Sequence, residues 1–273
     1  MDLETVRTES KNGVLWIGLN RPDRLNAFNG KMGSDLLEAL QEGERGTETG
    51  CVVVTGEGGA FSVGEDLNTD SASEDSGKPL PLGKALMRKY NPIVQRIKKM
   101  EKPVIAGING VTAGLGLGLA LACDLRAASD KATFREAFVK AKLVPDPGTS
   151  FWLTRILGQA RAMEVGLLGE PIKSTMALNL GLVNWVFADD RFEEEVANIA
   201  ERLAKRPTRA LGPTKRVLNR AIVVDVDSEL EYEAYLQGLA KRRVDGLEGT
   251  GAFEMRDAEK SGQQGEGPRK PPG

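Results

Sequence analysis

The chain contains no histidine. That excludes a Ser-His-Asp or Cys-His nucleophile, a His-ligated zinc, and the side chain that most often acts as a base near neutral pH. Any proton transfer falls to carboxylates, Lys, Tyr, Cys or backbone dipoles. Cysteine is almost as scarce: Cys51 and Cys123 each sit in an apolar run, away from metal-ligand spacing, which argues against a disulfide framework or a metal site. No apolar run reaches the roughly 18 residues needed to span a membrane, and the opening MDLETVRTES has no apolar signal core. Charge of one sign is also lacking. The formal net charge of -2 gives no electrostatic reason to expect nucleic acid or an anionic membrane as partner. These absences predict a cytoplasmic protein.

What is present describes an ordinary globular chain. Its 273 residues are 40% hydrophobic and 28% charged, enough for one large domain or a core with an appendage. Val14–Leu19 reads as a strand stopped by Pro22, and Cys51–Thr55 and Pro103–Ile108 as strands buried on both faces. Met32, Leu36, Leu37 and Leu40 recur at helical spacing over 30–43. A Ser-, Asp-, Pro- and Gly-rich loop over 68–82 leads into a helix near 83–100. Short strands are expected near 125–128, 132–134 and 182–187. Beyond about 149 the chain turns helical, with helices near 149–157, 159–168, 174–180, 190–206 and 208–222. A long amphipathic stretch over 226–257 follows, and the polar tail 261–273 is expected to be disordered. Strands alternating with helices, then helices alone, predict an α/β core over about 1–200 and a helical region over 201–260.

The run Gly114-Leu115-Gly116-Leu117-Gly118-Leu119 superficially suggests a dinucleotide-binding turn. The spacing is wrong, because the position that needs the third glycine holds Leu119 or Leu121. Two readings remain. Glycines let a strand and a helix approach closely, or unpaired amides in the first helical turn form half of an oxyanion hole.

Three blocks in register carry a family resemblance. LNRPDRLNAF (19–28), GGAFSVGEDL (58–67) and INGVTAGLGLGLALACDLRAASDKATF (108–134) resemble the signature segments of the crotonase, or enoyl-CoA hydratase/isomerase, superfamily. The likeness runs from about residue 5 to 257. It implies a spiral of ββα repeats, a helical carboxy-terminal part that makes homotrimers or dimers of trimers, and an acyl-CoA thioester substrate with no separate cofactor. The thioester oxygen would lie between the N–H groups of Glu65 and Leu115. Arg24, Ser62, Val63, Gly64, Asp66 and Leu67 would line the coenzyme A path with Gly114 and Gly118, and Phe253 and Lys260 are further candidates. Leu117, Phe138 and Trp152 would make the acyl pocket apolar.

The reaction turns on carboxylates. At the two positions where the family's hydratases carry glutamates, this chain has Gly118 and Phe138, and neither moves a proton. Glu136 stands two residues from the second position. Asp146, in Leu143-Val144-Pro145-Asp146-Pro147-Gly148, matches the acidic residue of the family's isomerases, including the epoxyphenylacetyl-CoA type. The same residue also reads as a helix N-cap followed by proline. An isomerase using Asp146 as its single acid/base is therefore expected. The alternatives are a hydratase using Glu136 or Glu65 with Asp146, and a crotonase-like protein that binds acyl-CoA or RNA without turnover. The basic cluster around Arg202–Arg209, with Lys215, Arg216 and Arg220, reads as a solvated helix face or subunit contact.

Overall fold

The computed structural model describes residues 3–66 and 82–244. Leu67, Phe253, Lys260, the loop over 68–81 and the tail lie outside the described residues. Strands β1 (Val6–Lys11) and β2 (Val14–Leu19) form a hairpin around Asn12-Gly13. Both turn residues have positive φ, 52° and 77°, as a two-residue loop between twisted strands requires. Helix α1 (Gly30–Arg45) follows, capped by Asn29, whose side chain accepts from the Met32 N–H.

Three ββα turns come next. The first holds β3 (Cys51–Gly56), β4 (Ala60–Ser62), α2 (Leu82–Ala85) and α3 (Asn91–Lys99), with a π-helical turn at Leu86–Tyr90 between the helices. The second holds β5 (Val104–Ile108), β6 (Val111–Ala113) and α4 (Leu115–Ala122). The third holds β7 (Leu125–Ser129), β8 (Thr133–Arg135) and α5 (Thr149–Leu168). They stack, because each adds one strand to each of two sheets, ordered β1-β2-β3-β5-β7-β10 and β4-β6-β8-β9. The first sheet is parallel from β2 to β10. The chain continues through β9 (Ile172–Lys173), α6 (Ser174–Asn179), β10 (Trp185–Phe187), α7 (Phe192–Ala204), α8 (Thr208–Ala221) and α9 (Val226–Val244).

The apolar strands are apolar because the larger sheet is covered twice. Val52 and Val54 face the main core with Phe28, Leu36 and Ile97, while Cys51 and Val53 pack with Phe192, Val196 and Ala200 of α7. Helix α8 is tied to the core by Lys215, whose Nζ is 2.6 Å from Asp124 and donates to the Ile97 and Lys102 carbonyls. Residue 200, the expected end of the core, falls inside α7, and the compact unit extends to Ile222. Helix α9 belongs to a second unit beginning at Val223.

One expectation changes and one is met. The strand foreseen over 182–187 begins only at Trp185, since Leu182 and Val183 are buried in a turn that leads into it. The helix over 149–168 is broken at Gly158, whose φ of 73° and ψ of 164° are not helical, so the two helices expected there meet at that glycine. Among the described residues no helix is long and apolar enough to cross a membrane.

Candidate active site

The glycine run opens α4 through Gly114, held at φ 52° and ψ -125°. The first bond within the helix runs from the Gly118 N–H to the Gly114 carbonyl at 3.1 Å, so the N–H groups of Leu115, Gly116 and Leu117 precede it. The Val63–Glu65 loop lies against this helix start. Gly64 has φ 99°, and a Cβ there would stand 3.2 Å from the Leu115 nitrogen. A Cβ on Gly116 would stand 2.4 Å from the Ser62 carbonyl oxygen. The close-packing reading of the run holds, and that packing brings the Val63–Glu65 loop to the amide end of α4.

The signature residues build this loop. Ser62 is fully buried; its Oγ donates to the Asn26 carbonyl at 2.8 Å and accepts from the Gly64 N–H at 3.2 Å. The Asn26 amide donates to the Glu57 and Ala60 carbonyls. Phe28 bridges to Glu65 as a parallel strand would: its N–H goes to the Gly64 carbonyl, and its carbonyl accepts from the Asp66 N–H. The Glu65 N–H takes no part in that bridge. Asp66 is buried and pairs with Arg21 at 3.0 Å, and the Val63 N–H donates to the Leu25 carbonyl. Ser62, Val63 and Asp66 thus have positioning contacts of their own, and Arg24 is exposed on the short turn Pro22–Arg24.

The acid approaches from the other side. Asp146 does not cap α5: the N-cap is Gly148, with φ 77°, and no side chain caps the helix. The reading of Asp146 as an N-cap is thereby corrected. The left-handed Gly148 sets the helix start at Thr149 and leaves the Asp146 carboxyl uncommitted to the helix end. Its turn is fastened by Thr149 Oγ1, which donates to the Asp146 carbonyl at 2.6 Å, and it rests on Gly118.

Asp146 is half-buried, and its pKa is pushed up to about 6, first by burial and then by the charges of Glu65 and Glu136. Glu136 is fully buried, and among the described residues neither of its carboxylate oxygens has a partner in hydrogen-bonding geometry. Burial raises its pKa, against a smaller opposing pull from the Phe138 and Val139 amides. Phe138 is buried with its ring edge against Gly114, 3.8 Å from where a Cβ would stand. Leu115 and Leu117 are buried in the main core, with the half-buried Trp152 packed against it. The Trp152 ring carries Lys98 Nζ over its face at 4.5 Å from the centroid.

Sequence reasoning missed Tyr90. Its side chain is 1% exposed, and its hydroxyl lies beside Glu65. Burial, then the neighbouring Glu65, then the charge of Asp146 hold the phenol protonated. The available signal was Tyr90-Asn91-Pro92. Proline removes a backbone donor early in α3, next to the π-helical turn that ends on Tyr90, and such turns often mark functional sites.

Comparison with known proteins identifies the family and the fold. The family described as enoyl-CoA hydratase/isomerase matches residues 9–261. The chain is similar to 1,2-epoxyphenylacetyl-CoA isomerase of Escherichia coli (strain K12), with 39% identity over 92% of this chain and 95% of the relative. It is similar to 4-chlorobenzoyl coenzyme A dehalogenase-1 of an Arthrobacter species, with 35% identity over 84% and 82%. Among solved structures, an enoyl-CoA hydratase subunit from Geobacillus kaustophilus superposes with a TM-score of 0.85 at 29% identity, covering 94% of this chain and 97% of that one. A putative enoyl-CoA hydratase from Thermobifida fusca in complex with CoA gives 0.79 at 29% identity, covering 89% and 95%. The two-sheet ββα spiral is the fold of these proteins.

Proposed function

The chain belongs to the enoyl-CoA hydratase/isomerase family, and from that premise we propose that it isomerises an acyl-CoA thioester with Asp146 as its acid and base. The observation that carries this reading is one carboxyl with pKa about 6, free of any capping duty, on a turn resting against α4. At pH 7 such a group is mostly ionised and can accept a proton. Its conjugate acid is still strong enough to give the proton back.

The carboxylate removes a proton from a carbon of the acyl chain, and the electron pair delocalises onto the thioester oxygen. The amides of Leu115 and Glu65 stabilise the resulting enolate by hydrogen bonds to that oxygen. Asp146 then returns the proton to a different carbon, the double bond shifts, and the carboxylate is regenerated. One acid/base group suffices, which fits Gly118 and Phe138 at the positions where hydratases carry glutamates. Phe138 and Tyr90 border the reacting region and limit water there.

A hydratase that pairs Glu136 with Asp146 is the second reading, favoured by a buried Glu136 whose charge acts on Asp146. A panel of acyl-CoA thioesters separates the two. Change in absorbance of the conjugated enoyl thioester with no change in product mass supports isomerisation. A product heavier by one water supports hydration, and no turnover of any thioester leaves a binding protein. We also infer self-association as a trimer or dimer of trimers, supported by the exposed Val226, Leu230 and Tyr235 on α9. Sedimentation showing a monomer at micromolar concentration would reject it.

A further inference from the structure

Two glycines in α4 receive two different partners. Gly116 receives Ser62, from the loop that leads to Glu65, and Gly118 receives the turn that carries Asp146. A Cβ at 118 would stand 2.7 Å from Thr149 Oγ1, 2.9 Å from the Asp146 carbonyl oxygen and 2.9 Å from Pro147 Cδ. All three atoms belong to the acid turn, and none is the far end of a flexible side chain. The carbonyl is backbone held by Thr149 Oγ1 at 2.6 Å, and both Pro147 and Thr149 are buried. One added carbon must therefore move the turn or the helix.

We propose that Gly118 is the positioning residue for Asp146: the space left by its missing side chain seats the acid turn at its working distance from the amides of α4. The inference rests on Asp146 being the acid/base. It gives Gly118 a role that needs no contact with substrate.

The test uses the full chain with Gly118→Ala, Thr149→Gly, the double variant and Asp146→Asn. Turnover, acyl-CoA affinity, the pH dependence of kcat and thermal melting are measured on each. A displacement of about 1 Å costs up to about 100-fold in rate. Gly118→Ala is expected to lose about 10- to 100-fold in kcat while its acyl-CoA affinity stays within about 3-fold. The acidic limb of its kcat profile moves to lower pH, because a lifted turn admits water to the carboxyl. Thr149→Gly removes the nearest obstructing atom, so in the double variant the turn sits closer to its native seat and part of the loss is regained.

Native kcat in a folded Gly118→Ala overturns the proposal, as does a loss that Thr149→Gly does not relieve. A fall in amplitude with an unmoved acidic limb overturns it too. If Gly118→Ala does not fold, the double variant decides: folded and active supports the seat, unfolded rejects it. Near-native turnover in Asp146→Asn rejects the acid/base assignment itself, a result separate from any arm involving residue 118.

Discussion

Replacing Asp146 by asparagine is expected to stabilise the protein while disabling it. The carboxyl ionises near pH 6 in the fold against an ordinary 3.8, because burial and two neighbouring carboxylates penalise its charge. A difference of that size corresponds to at most about 3 kcal/mol. Asp146 is half-buried, so solvent screening reduces the recoverable part to about 1–2 kcal/mol. The sign follows from proton uptake. Between about pH 4 and 6 the folded protein holds the proton that the unfolded chain releases, so stability falls as pH rises through that window. Above it the penalty is complete; below it there is none. Asp146→Asn should therefore melt about 2–8 °C above the parent at pH 8, with the gap closing near pH 4. Turnover should fall at least about 100-fold. Melting curves at equal protein concentration and a turnover assay on the same samples test both halves. Equal or lower stability of the asparagine variant at pH 8 would refute the electrostatic account of this site. Native turnover would refute the catalytic one.

Leu115→Pro removes the proposed amide donor at the first position of α4, where proline is tolerated, and should cost about 10²–10³ in turnover with the helix intact. Leu115→Ala is the less clean variant, since the side chain is 3% exposed and its loss costs about 2–5 kcal/mol of stability. Glu136→Gln removes one charge acting on Asp146. The isomerase reading expects an active enzyme whose acidic limb moves to lower pH, whereas the hydratase reading expects loss of turnover. Lys215→Ala leaves the carboxylate of Asp124 with the Val104 N–H at 2.8 Å and Lys98 at 3.7 Å as its partners among the described residues, and should cost about 3 kcal/mol in urea unfolding.

The sequence made the central strands legible because burial on both faces leaves no polar positions in Cys51–Val54 or Val104–Ile108. It did not reveal β1, where five of six residues are exposed and the turn Asn12-Gly13 was the readable signal. Strands β4, β6 and β9 have two or three residues each, too few for any period to emerge. At the site, the glycine run is legible as a helix start, which leaves its first amides without partners inside the helix. The cap at Asp146 was misread, because Asp-Pro looks like a helix start unless the left-handed Gly148 is known to intervene. Tyr90 was invisible for a different reason. A lone tyrosine on a helix reads as core, and its neighbours Glu65 and Asp146 are far away along the chain.

The three parts of the proposed site come from three successive ββα turns: the Glu65 loop from the first, the Leu115 amide from the second and Asp146 from the third. No contiguous segment contains enough of it to act. A partly opened molecule that loses any one turn loses the whole reaction, so activity should vanish at the same denaturant concentration as the buried tertiary structure. Because the first turn pairs with the second across about 50 residues of chain and the second with the third across about 20, the proposed catalytic assembly is complete only after the most distant of these strand pairings has closed.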